Sequence, residues 1–348
     1  MSYENRLNTV YTQHLQFKKP SKFWKKRSIP KGQILYHKKN FSKYFGLPIK
    51  NFKTKKILET GAGPGVHATI LGLMGNEVHA ADILAKNVIK MKVLKKLYKL
   101  KNLKISQHDF RKEYNKSKDF DLISCHNWIQ HSPNPSLILK KLVKRLKIGG
   151  RIYVSCYHSG TFRFFITQIA RSILKFNDFK LLQNRTSKIF PMGFKIYKNP
   201  EDIYSTVILD DFFTPYCITI NYANMQKLAK KYNLKLYTKI PKTNNLIYKD
   251  SIFLRVGLKK ISTKNKFAKT DLFTKPVNEF KKSSCKIRNE CIDLSKKIIS
   301  NFKRKSSSLQ RVNFALYLFK IRAEYSHSNT DQKYIKLKKF LSSFKNYN

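Results

Sequence analysis

An α/β fold built on a doubly wound, mostly parallel sheet is expected from three features of this 348-residue chain. Short apolar runs alternate with helical stretches between residues 55 and 147, a glycine-rich turn separates the first strand from the first helix, and acidic residues close successive strands.

Lys56-Ile57-Leu58-Glu59 reads as the first strand, and the turn at 61–65 leads into a helix over Val66 to Met74. Gly75-Asn76 turns the chain into a second strand, Glu77 to Asp82, followed by a Lys-studded helix over about 84–99. A third strand, Leu103 to Ser106, ends at His108-Asp109; a fourth, Phe120 to Ser124, ends at Cys125-His126-Asn127. The turn Ser132-Pro133-Asn134-Pro135 opens a helix over about 136–146 that is expected to stop at Gly149-Gly150 before a fifth strand, Arg151 to Ser155. Residues 160–225 break the rhythm. There Phe162, Phe165, Ile166, Ile169 and Ile173 recur at helical spacing, marking either a core-packing helix or a lid over a substrate. Asn233 to Thr238 and Ser251 to Leu258 read as an antiparallel hairpin at one sheet edge. The expected organisation is a basic, partly helical segment over 1–54, a central domain over 55–258 with a substrate-shaping insertion at about 160–225, and a Lys-rich helical extension over 259–348.

Composition narrows the function classes. Hydrophobic residues make up 41% of the chain, so a sizeable core is available and global disorder is excluded. Against 20 acids stand 72 Lys and Arg, a net charge of +52 that attracts anionic partners at long range. This charge is read as solvated surface, with a docking field for nucleic acid or anionic membrane as the alternative. It is concentrated at the ends: residues 1–56 carry 15 cations and one acid, including the run from Lys18 to Arg27. The five cysteines form no CxxC pair and fit a reducing compartment. No long apolar run or amino-terminal apolar region is visible, so the expected location is cytoplasmic, without a transmembrane segment. No metal site is expected.

The turn Glu59-Thr60-Gly61-Ala62-Gly63-Pro64-Gly65 carries the main functional signal. Glycines serve where the backbone takes unusual dihedrals or must approach a ligand closely. The dinucleotide fingerprint requires Gly or Ala at position 66, where this chain has Val66. A phosphate-binding turn would also be opposed by the carboxylate of Glu59, which suits a cationic ligand instead. Asp82 closes the second strand where a carboxylate can accept ribose hydroxyls, and Asp109 closes the third beside the place for an adenine amino group.

In these residues, together with Asp121 to Pro135 and Leu146 to Gly150, Lys56 to Ser155 resembles the class I S-adenosylmethionine-dependent methyltransferase domain. Within that family the likeness is to the small-molecule group that includes ubiquinone and menaquinone biosynthesis methyltransferases. The resemblance implies a Rossmann-like fold with S-adenosylmethionine as methyl donor. It assigns Glu59, Gly61, Gly63 and Gly65 to the methionine portion, Asp82 to the ribose and Asp109 to the adenine, with Ala62, Ile83 and Phe110 as further cofactor-binding residues. His126 and Asn127 become cofactor-side residues.

Ligands of open α/β sheets bind at the carboxyl ends of the strands, which makes Trp128, Gln130, His131, Tyr157 and His158 further lining candidates. His131 is the candidate general base, because an imidazole titrates near neutrality; the alternative is a turn-packing role before Pro133. Asp210 and Asp211 read as solvated loop acids or substrate contacts. The expected function is methyl transfer to a small or medium-sized acceptor. An RNA methyltransferase docking through its basic termini, or a non-catalytic donor-binding scaffold, are the alternatives. Against exocyclic-amine chemistry on bases, His126-Asn127-Trp128-Ile129 stands where such enzymes have an Asn/Asp-Pro-Pro-aromatic stretch.

Overall fold

The structure, a computed structural model, describes residues 28–115, 117–178, 180–182, 185, 211–240, 253–262, 280, 282, 284–324 and 330–344. In chain order its elements are α1 (Lys31–Phe45), β1 (Lys56–Thr60), α2 (Val66–Leu73), β2 (Glu77–Asp82), α3 (Ala85–Leu97) and β3 (Leu103–Gln107). There follow β4 (Phe120–His126), α4 (Pro135–Lys144), β5 (Leu146–His158), α5 (Phe162–Ile173), β6 (Thr219–Ile220) and α6 (Tyr222–Lys231). The hairpin β7 (Leu234–Ile240) and β8 (Phe253–Lys260) precedes α7 (Lys286–Lys305), α8 (Ser308–Glu324) and α9 (Thr330–Ser343).

The strands form one sheet in the order β3-β2-β1-β4-β5-β8-β7, with β6 paired to the end of β5. The first five strands are parallel; β8 alone runs antiparallel to both of its neighbours. Alternation along the strands sends side chains to two covered faces. Ile57, Val78, Ala80 and Tyr153 pack with Phe41 and Phe45 of α1, Ile70 of α2 and Met91 of α3. Leu58, Ile123 and Val154 pack with Ile138 and Leu142 of α4 and Met225 and Leu228 of α6. The order reverses at β1 and β4, so their carboxyl ends diverge into a crevice.

Three expectations change. Gly149-Gly150 does not end a helix: α4 stops at Lys144, and β5 already starts at Leu146. Buried Leu146 pairs with Phe120, and the next paired residues are Leu122 and Arg151. The intervening segment is therefore a bulge, in which Gly149 takes φ 78°. Second, α5 is the core-packing helix and not the lid, but the core it joins is shared with the tail. Phe162, Phe165, Ile166, Ile169 and Ile173 are buried in one core with Ile292, Phe314, Leu318 and Leu337 of the three C-terminal helices. The insertion and the tail thus share an interior, and a boundary after residue 258 separates sequence regions, not cores.

Third, Asp211 is neither a solvated acid nor a substrate contact. It is buried, and its carboxylate accepts from Tyr157 Oη at 2.7 Å and from Arg322 Nη1 at 2.8 Å. A second buried pair, Asp178 with Arg311 at 2.7 Å, fastens α8 to the turn after α5. Asp210 lies outside the described residues, as do the basic run at 18–27 and most of the insertion between 186 and 210. From the basic N-terminal segment, α1 docks on the sheet through Phe41, Tyr44 and Phe45. Arg151 Nη1 secures its end by donating to the carbonyls of Phe45 and Gly46 at 2.7 and 2.6 Å. Among the described residues, no helix is long and apolar enough to cross a membrane.

Candidate functional site

Three glycines shape the turn after β1. Gly61, Gly63 and Gly65 all have positive φ, at 57°, 54° and 86°, the left-handed region that L side chains rarely adopt. A Cβ on Gly61 would stand 2.5 Å from the Trp128 ring, and one on Gly65 would stand 2.4 Å from Met91 Cγ. At Gly63 no atom lies within 4 Å of a Cβ position, so its backbone borders open space. The turn is tied to β2 by Ala62 N donating to Ala81 O at 3.0 Å and by Gly63 N donating to Asp82 Oδ2 at 2.8 Å.

Asp82 is the hub of this end of the sheet. Its Oδ1 accepts from Leu84 N at 2.9 Å and from Asn87 Nδ2 at 3.1 Å. A carboxylate offers about four acceptor positions, so with Gly63 N three are filled. One further donor is accommodated, rather than the two ribose hydroxyls that a free carboxylate would take. Burial raises the Asp82 pKa against the opposing pull of these donors.

Asp82 borders a partly open cleft of about 200 Å³. Its wall brings together Gly61, Gly63, Asp82, Ile83, Asp109, Phe110, His126, Asn127 and His131. Trp128 joins them. Its Nε1 donates to Thr60 Oγ1 at 2.9 Å, and that hydroxyl donates to Ser124 O at 2.8 Å, which fixes the indole over Gly61. The Phe110 ring lies 5.5 Å away, giving the cleft one aromatic wall. Asn127 holds φ 55° at the β4 exit, its amide donating to Ser155 O at 3.0 Å and its Oδ1 accepting from the Ser155 hydroxyl.

Residues 51–186 match a family described as a methyltransferase domain. The match covers less than half of the chain and contains the glycine turn and the strand-end acids of the cleft. The ubiquinone biosynthesis O-methyltransferase of Dechloromonas aromatica (strain RCB) is 27% identical over 103 residues, covering 29% of this chain and 44% of the relative. The enzyme of the same name from Pseudomonas syringae pv. tomato is 25% identical over 107 residues, covering 30% and 45%. The chain thus spans less than half the length of these curated relatives. Among solved structures, the 1,6-didemethyltoxoflavin-N1-methyltransferase of Burkholderia thailandensis is similar at 12% identity and a TM-score of 0.44, covering 75% of this chain and 89% of that one.

Within residues 51–186, other expected site residues lie away from the cleft wall. Ala62 and Gly65 act through the shape of the turn. Glu59 is buried beneath it, its Oε1 3.6 Å from His67 Nδ1 and its Oε2 without a hydrogen-bond partner. Gln130 and Tyr157 are buried and bond to His131 and Asp211, and His158 lies outside the wall. His131 does reach the cleft, but its Nδ1 lies 3.1 Å from Tyr216 O, which makes that nitrogen the donor. Its Nε2 then accepts from Gln130 Nε2 at 3.3 Å. Burial chiefly pushes its pKa down to about 4, so it is a weak base at neutral pH.

Leu84, Asn87, His108, Arg111 and Ser132 also line the cleft and escaped the sequence reading. Asn87 follows Asp82 by five residues, in the first turn of α3, and Arg111 follows Asp109 by two residues. Such spacings mark a side chain that returns to a strand-end acid, a signal too common in turns to be selective. Among the described residues, no group of three His, Cys, Asp or Glu side chains is arranged to hold a metal.

Proposed function

We propose that this chain is an S-adenosylmethionine-dependent methyltransferase that moves a methyl group to a small or medium-sized acceptor by in-line displacement. The observation that carries the reading is Asp82: a buried carboxylate at the end of β2, held by the Gly63 amide and keeping one acceptor position at the cleft. A carboxylate there accepts a ribose hydroxyl, so it favours an adenosyl compound. The unpartnered Oε2 of Glu59 adds a second negative centre beneath the same turn, which suits a ligand carrying an ammonium and a sulfonium.

When bound, the donor supplies a methyl group already activated on sulfur. The protein's residues align and shield. Gly61 and Gly63 let the backbone approach the ligand; Asp82 orients the ribose; Phe110 and Trp128 form the apolar wall; Asp109 receives the adenine edge. Holding donor and acceptor in attack geometry contributes about 7–11 kcal/mol toward the barrier. An acceptor that is deprotonated at neutral pH needs no base, consistent with the low basicity of His131. Cytoplasmic location belongs to the same proposal, supported by the thiols of Cys125, Cys156 and Cys291, which form no disulfide.

Calorimetric titration with S-adenosylmethionine and S-adenosylhomocysteine tests the donor site, and mass spectrometry of a metabolite extract incubated with enzyme and donor finds the acceptor. Tight binding of a pyridine dinucleotide, with no heat from either adenosyl compound, would falsify the reading.

A further inference from the structure

Helix α1 carries His37 to the amino terminus of α2. The His37 and His67 ring centroids are 4.5 Å apart, and those of His67 and His126 are 4.9 Å apart, each pair at an interplanar angle of 66°. Three imidazoles from α1, α2 and β4 therefore stand in file between the N-terminal helix and the cleft, whose wall includes His126. The Nδ1 atoms of His37 and His126 are buried without hydrogen-bond partners.

Among the described residues, the surroundings are poor in negative charge. On α1, Tyr36 lies 5.2 Å from His37, Phe41 5.4 Å from His67 and Tyr44 5.8 Å from His126. On β5, Tyr153 lies 5.5 Å from His126, and on β8 the Arg255 guanidinium acts on His126 with the same sign as a proton. Glu59 of β1 supplies the carboxylate, 3.6 Å from His67 Nδ1. One carboxylate offsets at most one of three imidazolium charges, and Arg255 adds a further positive charge.

We propose that the file is a proton-operated latch: with neutral imidazoles His37 holds α1 closed beside the cleft, and protonation releases α1 and weakens donor binding. The link to donor affinity rests on the function proposed above; the release of α1 does not.

Burial, and then the neighbouring His67, lower the His37 pKa to about 4. His126 is also lowered well below the ordinary value, by burial first and then by His67, Arg255 and His37. The sign follows. Folded values below the unfolded one mean that closure is fully favoured above the ordinary imidazole pKa of about 6.5 and is progressively lost as pH falls toward 4. For His37 alone, the opening equilibrium shifts by about 30-fold between pH 7.5 and pH 5.

The test combines two readouts on the full chain. S-adenosylhomocysteine is titrated calorimetrically at pH 7.5 and 5.0 into wild type and His37→Phe, a variant that keeps a ring but carries no proton. Affinity is expected to fall at least about tenfold in wild type and distinctly less in the variant, which keeps His67 and His126. Hydrogen exchange across 31–45, corrected for intrinsic rates, is expected to show α1 protection lost at pH 5.0 in wild type and kept in His37→Phe. Superimposable pH dependence of affinity in the two proteins overturns the latch while leaving the donor site intact. Should no ligand bind at pH 7.5, the donor reading fails, and the exchange data still decide the latch. Should His37→Phe not fold, equal α1 protection in wild type at both pH values overturns it.

Discussion

Arg111 holds both carboxylate oxygens of Asp109. Its Nε donates to Oδ1 at 3.0 Å and to Oδ2 at 2.8 Å, and Nη2 lies 2.7 Å from Oδ2. The Arg111 backbone amide adds a fourth contact, to Oδ1 at 2.9 Å. Burial raises the Asp109 pKa, but these bonds and the Arg111 charge outweigh it, and the net shift is downward. The residue expected to meet adenine is therefore ionised, and by the count applied to Asp82 its acceptor positions are taken by Arg111, so an adenine amino group must share or displace one of these bonds.

That clamp leads to a test of base selectivity. If Asp109 accepts the adenine amino group, wild type should prefer S-adenosylhomocysteine over its inosine analogue by about tenfold, the worth of one hydrogen bond to a charged group. In Asp109→Ala the preference should vanish. Competition calorimetry with the two nucleosides measures it, and an unchanged ratio removes Asp109 from the adenine site.

Asp82→Ala should weaken donor binding at least about tenfold, because it removes a charged acceptor and leaves the Gly63, Leu84 and Asn87 donors without their partner. Asp82→Asn, which keeps the shape, should recover stability more than affinity. Equal affinity in wild type and both variants would show that the ribose binds elsewhere.

Gly63 and Gly65 separate ligand approach from internal packing. Gly63→Ala meets no atom, so its cost to stability is backbone strain of about 1–2 kcal/mol, while donor binding suffers from the methyl group facing the cleft. Gly65→Ala adds a contact with Met91 at 2.4 Å and should lower Tm further. Thermal unfolding of the two variants in parallel checks the order.

The Arg322–Asp211 pair joins α8 to the insertion, with both side chains buried. Arg322→Ala leaves an uncompensated buried carboxylate and should cost about 3–5 kcal/mol in urea unfolding. Pairing it with Asp211→Asn should restore part of that loss. A cost below about 1 kcal/mol for the single variant would show that the tail docks without this pair.

His131, with a pKa of about 4, should stay neutral from pH 8 to pH 5. Because the unfolded chain takes up the proton first, near its ordinary pKa of about 6.5, His131 subtracts stability as pH falls through that window toward 4. Its ring resonances in NMR should remain flat from pH 8 to 5, and a titration centred near 6.5 would refute the buried, Tyr216-bonded tautomer.

The sequence alone determined the parallel strands, the turn at 61–65 and the strand-end acids Asp82 and Asp109, because these follow from period-two burial, glycine conformation and position at a strand terminus. All three are local properties of the chain. Tertiary structure decided what those acids and their neighbours touch. Glu59 lies beneath the turn instead of in the cleft wall, Asp211 meets Arg322 across 111 residues, and α5 shares a core with helices that begin more than a hundred residues later. Helical spacing shows that α5 has an apolar face but not which surface covers it, since that depends on long-range packing. Likewise the alignment of His37, His67 and His126 exists only because α1, α2 and β4 converge at one end of the sheet, a convergence with no signature in the spacing of the three residues.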